Sequence, residues 1–150
     1  MDKRARILVI DDDENIRTTL KPILESEGYI VDVAKDGYEA IAMTEQASYN
    51  VALIDIRLPD VDGVELLTRI RDTVPKMRKI MLTGYPSVQN AIEAVNRKAD
   101  AYLVKPVDIA RLLTTIETHL ELQKMEKKYS EERVAEFIET RVKEIAEPNA

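Results

Sequence analysis

Five short apolar runs divide the first two thirds of the chain, and stretches with apolar residues at helical spacing separate them. Four of the runs are almost wholly apolar and rich in β-branched or aromatic residues, which is typical of strands covered on both faces. The second run is interrupted by Asp32, as expected of a strand at the edge of a sheet. The predicted strands are Ile7 to Ile10, Ile30 to Ala34, Val51 to Ile54, Lys79 to Leu82 and Ala101 to Val104.

Apolar stripes at helical spacing follow each of these runs. The alternation of strand and helix predicts an α/β fold, a doubly wound five-stranded parallel sheet with helices on both faces. We assign the apolar residues of the stripes to the core and expect Pro22, inside the first stripe, to kink its helix. The stripes are Ile16, Leu20, Ile23 and Leu24; Ala40, Ile41 and Ala47; Leu66, Leu67, Ile70 and Val74; Ala91, Ile92 and Val95; and Ile109, Leu112, Leu113, Ile116 and Leu120.

The character of the sequence changes after Leu122, which divides the chain into a domain at residues 1–122 and a charged amphipathic helical tail at residues 123–150. No glycine or proline lies between Leu113 and Glu147, so the last helix is expected to extend well beyond the domain. A second apolar stripe in the tail predicts burial, by pairing with a second chain, which we favour, or by folding back onto the domain. This tail stripe consists of Val134, Phe137, Ile138, Val142 and Ile145.

The overall composition argues against several classes of function. The net charge of −6 does not favour direct binding to nucleic acid or to an anionic membrane. The absence of cysteine excludes disulfides, thiolate metal sites and cysteine catalysis. The apolar run that follows the charged N-terminus, Ile7 to Ile10, is too short for a signal peptide or a membrane span, which favours a cytoplasmic protein.

Polar residues stand at the ends of four predicted strands: Asp11 and Asp12 after the first, Asp55 after the third, Thr83 after the fourth and Lys105 after the fifth. The carboxyl ends of parallel strands line one crevice, so these side chains are expected to converge. Clustered carboxylates repel unless a cation neutralises them, and oxygen ligands without histidine or cysteine favour Mg²⁺. Beside such an ion Asp55 is a competent nucleophile toward phosphorus, with Lys105 offsetting negative charge and Thr83 donating a hydrogen bond.

The segments that carry these residues closely resemble the receiver domain of two-component response regulators, over about residues 5–122. Among receivers, the loop TGYP is most similar to the nitrogen-regulator type. The resemblance implies a flavodoxin-like sheet with strand order 2-1-3-4-5. The matching segments are ILVIDDD at residues 7–13, DIRLPDVDG at 55–63, MLTGY at 81–85 and AYLVKP at 101–106.

The resemblance also implies roles for single residues. Asp55 would be the phospho-acceptor, and Lys105 would contact the phosphoryl group. Asp12, Asp55 and the backbone carbonyl of Arg57 would bind Mg²⁺ directly, and Asp11 would act through water.

A second set of implied residues belongs to the switch. Thr83 and Tyr102 would couple the site to the face formed by the fourth helix, fifth strand and fifth helix. Pro106 would follow a cis peptide bond. The chain departs from the family at Lys98, where a glycine commonly ends the fourth helix.

The implied function is regulatory rather than enzymatic, because such a domain assists only its own phosphorylation and dephosphorylation. A sensor histidine kinase or a phosphotransfer protein would supply the phosphoryl group. The altered face would then bind a downstream protein or a second copy of the chain. Two interpretations stay open: a stand-alone switch, or the input half of a transcription regulator whose effector domain is absent from this chain.

Two other site types fit the sequence less well. A phosphatase with an Asp-x-Asp nucleophile would use Asp11 and Asp13, but it leaves the Asp55 motif without a role. A calcium-binding EF-hand loop beginning at Asp11 lacks its glycine, which is replaced by Ile16, and its bidentate glutamate, which is replaced by Pro22.

Overall fold

The computed structural model describes residues 4–71, 73, 75–84 and 86–146. Strands and helices alternate along the chain, as the apolar pattern predicts. No helix in these ranges combines the length and the apolar character needed to cross a membrane. The elements are β1 (Arg6–Ile10), α1 (Glu14–Ser26), β2 (Ile30–Ala34), α2 (Gly37–Gln46), β3 (Val51–Asp55), α3 (Gly63–Arg69), β4 (Arg78–Thr83), α4 (Val88–Asn96), β5 (Ala101–Val104) and α5 (Ile109–Ala146).

The strands form one parallel sheet in the order β2-β1-β3-β4-β5, which confirms the predicted fold and strand order. Successive residues of a strand point to opposite faces, so β1 contributes to two cores. Leu8 and Ile10 pack in a core with α2, α3 and α4. Ile7 and Val9 pack in a second core with α1 and α5.

Helix α1 continues through Pro22 to Ser26, so the proline does not end it. Helix α3 ends at Arg69 with Ile70 still buried, and Val74, the last residue of its predicted stripe, lies outside the described residues. The stripe residues Leu20 and Leu24 of α1 and Leu66 and Leu67 of α3 are buried, as predicted.

Helix α4 contradicts one prediction. Ile92 and Val95, which we assigned to the core, are 54% and 69% exposed, whereas the small Ala94 is buried. The helix therefore packs through alanine, and its branched apolar residues face solvent. It ends at Asn96, and two residues later Lys98 adopts a left-handed φ of 68° while the amide of Ala99 donates to the carbonyl of Ala94 at 2.8 Å. This is the glycine-type helix end that the family resemblance implies, formed here with a lysine.

Helix α5 runs without interruption from Ile109 to Ala146, which confirms the predicted extension. Its first half packs on the sheet through Leu112 and Ile116, and Gln123 is the last buried residue on it. Residues 124–146 are all exposed, so the tail does not fold back onto the domain. The members of the tail stripe are between 55% and 78% exposed.

Candidate functional site

The polar residues singled out in the sequence meet at the carboxyl edge of the sheet. β3 ends at Asp55 and β4 at Thr83, while Asp11 and Lys105 are the first residues after β1 and β5. Asp11, Asp55 and Thr83 are buried, with at most 7% of each residue exposed, and Asp12 is exposed. The topology thus brings side chains from four strand ends into one partly buried crevice, as predicted.

Three carboxylates and one ammonium group form the centre of this crevice. Asp11, Asp12 and Asp55 each place a carboxylate oxygen within 4.8 Å of the others. The Nζ of Lys105 lies 2.7 Å from Oδ2 of Asp11 and 3.5 Å from Oδ2 of Asp55. One positive charge therefore balances only part of the negative charge.

Burial and this excess of negative charge both affect the pKa of Asp55. Burial, and then the neighbouring charge of Asp11, raise the pKa of Asp55 from 3.8 to about 6, although Lys105 and the amide of Arg57 act in the opposite direction. A cluster in which burial and like charges oppose ionisation gains from a bound cation. Its donors are all carboxylate oxygens, with one carboxylate open to solvent, and this fits the hard and partly hydrated Mg²⁺ ion.

The loop after β1 holds Asp11 in place. The amide of Asp13 donates to Oδ1 of Asp11 at 3.0 Å, and the guanidinium of Arg17 donates to the carbonyl oxygen of Asp11 at 2.7 Å. Asp13 itself caps α1 by accepting from the amide of Asn15 at 2.8 Å. The first turn of α1 thus fixes both the backbone and the side chain of Asp11.

Gly63 lies directly against the backbone of Asp55. A Cβ atom at this position would stand 2.2 Å from the Asp55 carbonyl oxygen and 2.7 Å from the Cα of Ile56. The Gly63 amide donates to the carbonyl of Ile56 at 2.7 Å, which closes the loop between β3 and α3. Glycine is needed because any side chain at position 63 would meet the backbone of Asp55. The sequence shows Gly63 within a segment that matches the family, but it does not show this contact.

Asp60 is a second residue of this loop that the sequence did not single out. Its carboxylate accepts the amides of Gly37 and Tyr38 at 3.0 and 2.8 Å, at the first turn of α2. A carboxylate stabilises the positive end of a helix, so Asp60 ties the loop after Asp55 to a neighbouring helix. Asp60 and Gly37 are 23 residues apart in the chain, and the only signal in the sequence is the number of acidic residues in this loop.

The remaining predicted site residues lie close by. The amide of Arg57 donates to Oδ1 of Asp55 at 3.3 Å, and the role of its carbonyl as a metal ligand stays a prediction. The Lys105–Pro106 peptide is cis, as the resemblance implies. Thr83 and Tyr102 lie on the adjacent strands β4 and β5, where the carbonyl of Thr83 accepts the Lys105 amide at 2.7 Å.

Tyr102 is half-buried, and its ring packs against the core that contains Met81 and Ala94. Its hydroxyl group is buried and has no hydrogen-bond partner in the described part of the chain. An unsatisfied buried hydroxyl costs roughly 1–3 kcal/mol.

Comparisons with known proteins identify relatives of this chain. Residues 7–117 match the family described as the response regulator receiver domain. The transcriptional regulatory protein ZraR of Salmonella typhimurium is 36% identical over 114 residues, which is 76% of this chain but 26% of ZraR. The regulatory protein AtoC of Escherichia coli is 33% identical over 122 residues, 81% of this chain and 26% of AtoC. The chain thus spans about a quarter of the length of these relatives.

Solved structures agree with this match. A CheY-like response regulator receiver domain protein from Methanospirillum hungatei is 44% identical, with a TM-score of 0.79 over 83% of this chain and 99% of the other. NtrX from Brucella abortus is 31% identical, with a TM-score of 0.78 over 85% of this chain and 30% of NtrX. The chain therefore belongs to the response regulator receiver domain family.

Proposed function

We propose that this chain is a phosphorylation-dependent signalling switch in which Asp55 accepts a phosphoryl group from a sensor histidine kinase or a phosphotransfer protein. The observation that carries the proposal is the crevice itself, where the Asp55 carboxylate lies beside Asp11, Asp12 and Lys105 at the carboxyl edge of the sheet. A cytoplasmic location, expected from the sequence, is part of the proposal.

The carboxylates of the crevice are the proposed Mg²⁺ ligands. Asp12, Asp55 and the carbonyl of Arg57 would hold the ion directly, and Asp11 would hold it through water. The bound ion would supply positive charge that offsets the carboxylates and the oxygens of the incoming phosphoryl group. The raised pKa of Asp55 supports this assignment, because its burial and the neighbouring charge of Asp11 disfavour the carboxylate more than Lys105 favours it, and a bound cation would oppose that effect.

The chemical step is a displacement at phosphorus. A carboxylate oxygen of Asp55 forms the new P–O bond, and the P–N bond to the donor histidine breaks, with its electron pair returning to the imidazole nitrogen. Lys105, already 3.5 Å from Asp55, offsets the charge of the transferring group. The product is an acyl phosphate on the chain itself, which water later hydrolyses, so no separate substrate is turned over.

Thr83 and Tyr102 are the proposed link between the site and a binding surface. The phosphoryl group adds charge and strong hydrogen-bond acceptors that the Thr83 hydroxyl can approach. Movement of Thr83 toward it would open space for the Tyr102 ring, whose buried hydroxyl has no hydrogen-bond partner among the described residues. Two alternative packings of this pair provide the bistable element that a switch requires.

The surface that responds is the face of α4, β5 and α5. It is apolar where a partner would bind, because Val88, Ile92 and Val95 of α4 and Val104 of β5 are at least 50% exposed. A change at Tyr102 of β5 alters the middle of this face. We infer that phosphorylation controls the binding of a downstream protein, or of a second copy of the chain, at this surface.

The acceptor is tested by incubating the chain with acetyl phosphate and Mg²⁺ and measuring its intact mass. One phosphoryl group should be added, and Asp55→Asn or chelation of the metal should abolish the addition. Asp62→Asn is the matched control, since asparagine still caps α3 and labelling should persist. Stoichiometric labelling of Asp55→Asn at another residue would refute the assignment.

The link is tested with Thr83→Ala in the same assay. This variant should still be phosphorylated, but the amide chemical shifts of α4, β5 and α5 should change less than in the wild type. Equal shift changes in both proteins would show that Thr83 does not transmit the signal.

A second candidate function is the input half of a transcription regulator. It is favoured by the names of the relatives ZraR and AtoC, of which the chain spans only about a quarter. Phosphorylation of Asp55 would be unchanged, and its effect would pass to an effector domain. The reading frame of the natural gene beyond residue 150 decides between the two functions.

A further inference from the structure

The far end of α5 presents apolar residues on the same side with which the helix packs against its own domain. Val134 follows Ile116, and Ile138 follows Leu120, by 18 residues (134 − 116 and 138 − 120). At about 3.6 residues per turn this is five full turns, so each pair lies in line along the helix. Ile116 is buried on the sheet and Leu120 packs beside it. The tail stripe therefore continues the domain-facing side of α5 past the edge of the domain.

The last contacts of α5 with its own domain are polar and lie at the amino edge of the sheet. The Nε2 of Gln123 donates to the carbonyl of Lys76 at 2.8 Å, and Glu126 pairs with Arg78. The next residues, 127–146, are exposed and extend about 30 Å at 1.5 Å per residue. The stripe is thus carried by a helix arm that leaves the domain at one corner.

The side on which the stripe lies restricts how two copies can pair. If two chains ran parallel with their stripes in contact, both domains would lie on the inner side of the pair at the same end and would occupy the same space. In an antiparallel pair the domains lie at opposite ends, and each arm ends beneath the partner's domain. We propose that two copies of this chain pair through residues 127–146 as antiparallel helices.

The charged residues among the apolar ones agree with this direction. In an antiparallel pair the residue numbers of any two facing residues add to the same total. If Val134 lies opposite Ile138 of the second copy, that total is 272 (134 + 138), and Arg141 then lies opposite Glu131. Lys127 lies beside Glu144 in the same register. In a parallel pair each of these residues would meet its own copy, and charges of the same sign would face each other.

Within one chain, Arg141 is held only weakly. Its guanidinium lies 3.3 Å from Glu144, but both side chains are about 60% exposed, at 63% and 59%. Such surface pairs contribute little, so Arg141 is available to a second chain. The proposal rests on the arm alone and is independent of the phosphorylation of Asp55.

The direction of pairing is tested by disulfide formation, because the natural chain has no cysteine. The full chain with Lys127→Cys is mixed with the full chain with Ile145→Cys under mild oxidation. Antiparallel pairing brings these two positions together, whereas parallel pairing separates them by about 27 Å. Crosslinks are expected in the mixture and not in either variant alone. Crosslinks in the separate variants, or none in any sample, would overturn the proposal.

The strength of pairing is tested by sedimentation of the unmodified chain and of single variants. Ile138→Glu should weaken dimerisation at least tenfold, while Thr140→Glu, which adds the same charge on another side of the helix, should leave it unchanged. Arg141→Glu should weaken it, and the added Glu131→Arg should restore it. A chain that is monomeric at every concentration, or an Arg141→Glu variant as dimeric as the unmodified chain, would overturn the proposal. Phosphorylation of Asp55 in each variant serves as a check that the domain is folded.

Discussion

The two edges of the sheet both bury polar side chains, but they do so in opposite ways. At the carboxyl edge, the carboxylates of Asp11, Asp12 and Asp55 lie close together, and the ammonium group of Lys105 pairs with Asp11 and Asp55. At the amino edge, Nδ2 of the Asn50 side chain donates to Oε1 of Gln123 at 3.0 Å. Nε2 of Gln123 donates in turn to the backbone carbonyl of Asn50 at 3.1 Å. Burial of polar groups is therefore common to both edges and does not by itself mark a functional site.

What separates the edges is whether the chain satisfies its own charges. At the amino edge, the guanidinium of Arg78 lies 3.3 Å from Asp100 and also pairs with Glu126. The positive and negative charges there are thus both supplied by side chains of the chain itself. At the carboxyl edge, burial and then the charge of Asp11 raise the pKa of Asp55, because Lys105 offsets only part of these two effects. The first arrangement anchors α5, and the second would gain stability from a bound cation.

The largest expected effect is at the carboxyl edge, with Gly63→Ala. The new methyl group would lie 2.2 Å from the Asp55 carbonyl oxygen, so the backbone that carries the acceptor must shift. We expect a loss of about 3 kcal/mol in the free energy of unfolding, measured in urea, and slower phosphorylation by acetyl phosphate. The control is Gly84→Ala beside the same crevice, where a Cβ meets nothing within 4 Å. A Gly63→Ala variant of normal stability would refute the close approach.

At the amino edge, Gln123→Leu should have a smaller effect and leave the function intact. It removes the hydrogen bonds to Asn50 and Lys76 and leaves buried groups unsatisfied, at a cost of about 2–3 kcal/mol. Acetyl phosphate should label this variant at the normal rate, since the opposite edge is unchanged. Gln89→Leu on the exposed side of α4 is the control for added apolar surface. Slower labelling of the folded Gln123→Leu variant would mean that the edges are not independent.

The third prediction concerns pH in metal-free buffer. The pKa of Asp55 is about 6 in the folded chain against 3.8 ordinarily, so folding favours the protonated carboxyl. Its contribution is full below about pH 4 and is lost as pH rises through 6, which lowers the stability at pH 7 by up to about 3 kcal/mol. Asp55→Asn should remove this loss, so the stability difference between variant and wild type should grow between pH 4 and 7. A difference independent of pH would show that the crowding is relieved without a cation.

The sequence predicted the carboxyl edge well because its signal is local. A run of apolar residues that ends in Asp55 or Asp11 shows both the strand and the polar group at its end. The role of Gln123 depends on partners 73 and 47 residues away, and no pattern near it in the chain indicates them. The exposure of Ile92 was missed for a related reason: its spacing fits a core helix, but α4 packs through the smaller Ala94. Local periodicity thus predicts elements and strand ends, while contacts between distant segments must be seen in the fold.

The smallest expected effect is at Lys98, the turn that delivers Asp100 to the amino edge. Lys98 has a φ of 68°, a left-handed conformation that disfavours residues with a Cβ atom by roughly 1–2 kcal/mol. Two residues later, a carboxylate oxygen of Asp100 accepts the Lys79 amide at 2.8 Å. Glycine should relieve the strain at Lys98 without moving Asp100, although it also gives the unfolded chain more freedom. We therefore expect Lys98→Gly to raise the free energy of unfolding by about 1 kcal/mol.

The matched control for this variant is Arg97→Gly, one residue earlier. Arg97 has a φ of −93°, where glycine brings no relief, so this change should lower stability or leave it unaltered. Labelling of Asp55 should be normal in both variants, because the turn lies at the opposite edge from the crevice. If Lys98→Gly lowered stability as much as Arg97→Gly, the left-handed turn would carry no strain, and the amino edge would owe its geometry to the contacts of Asp100 and Arg78 alone.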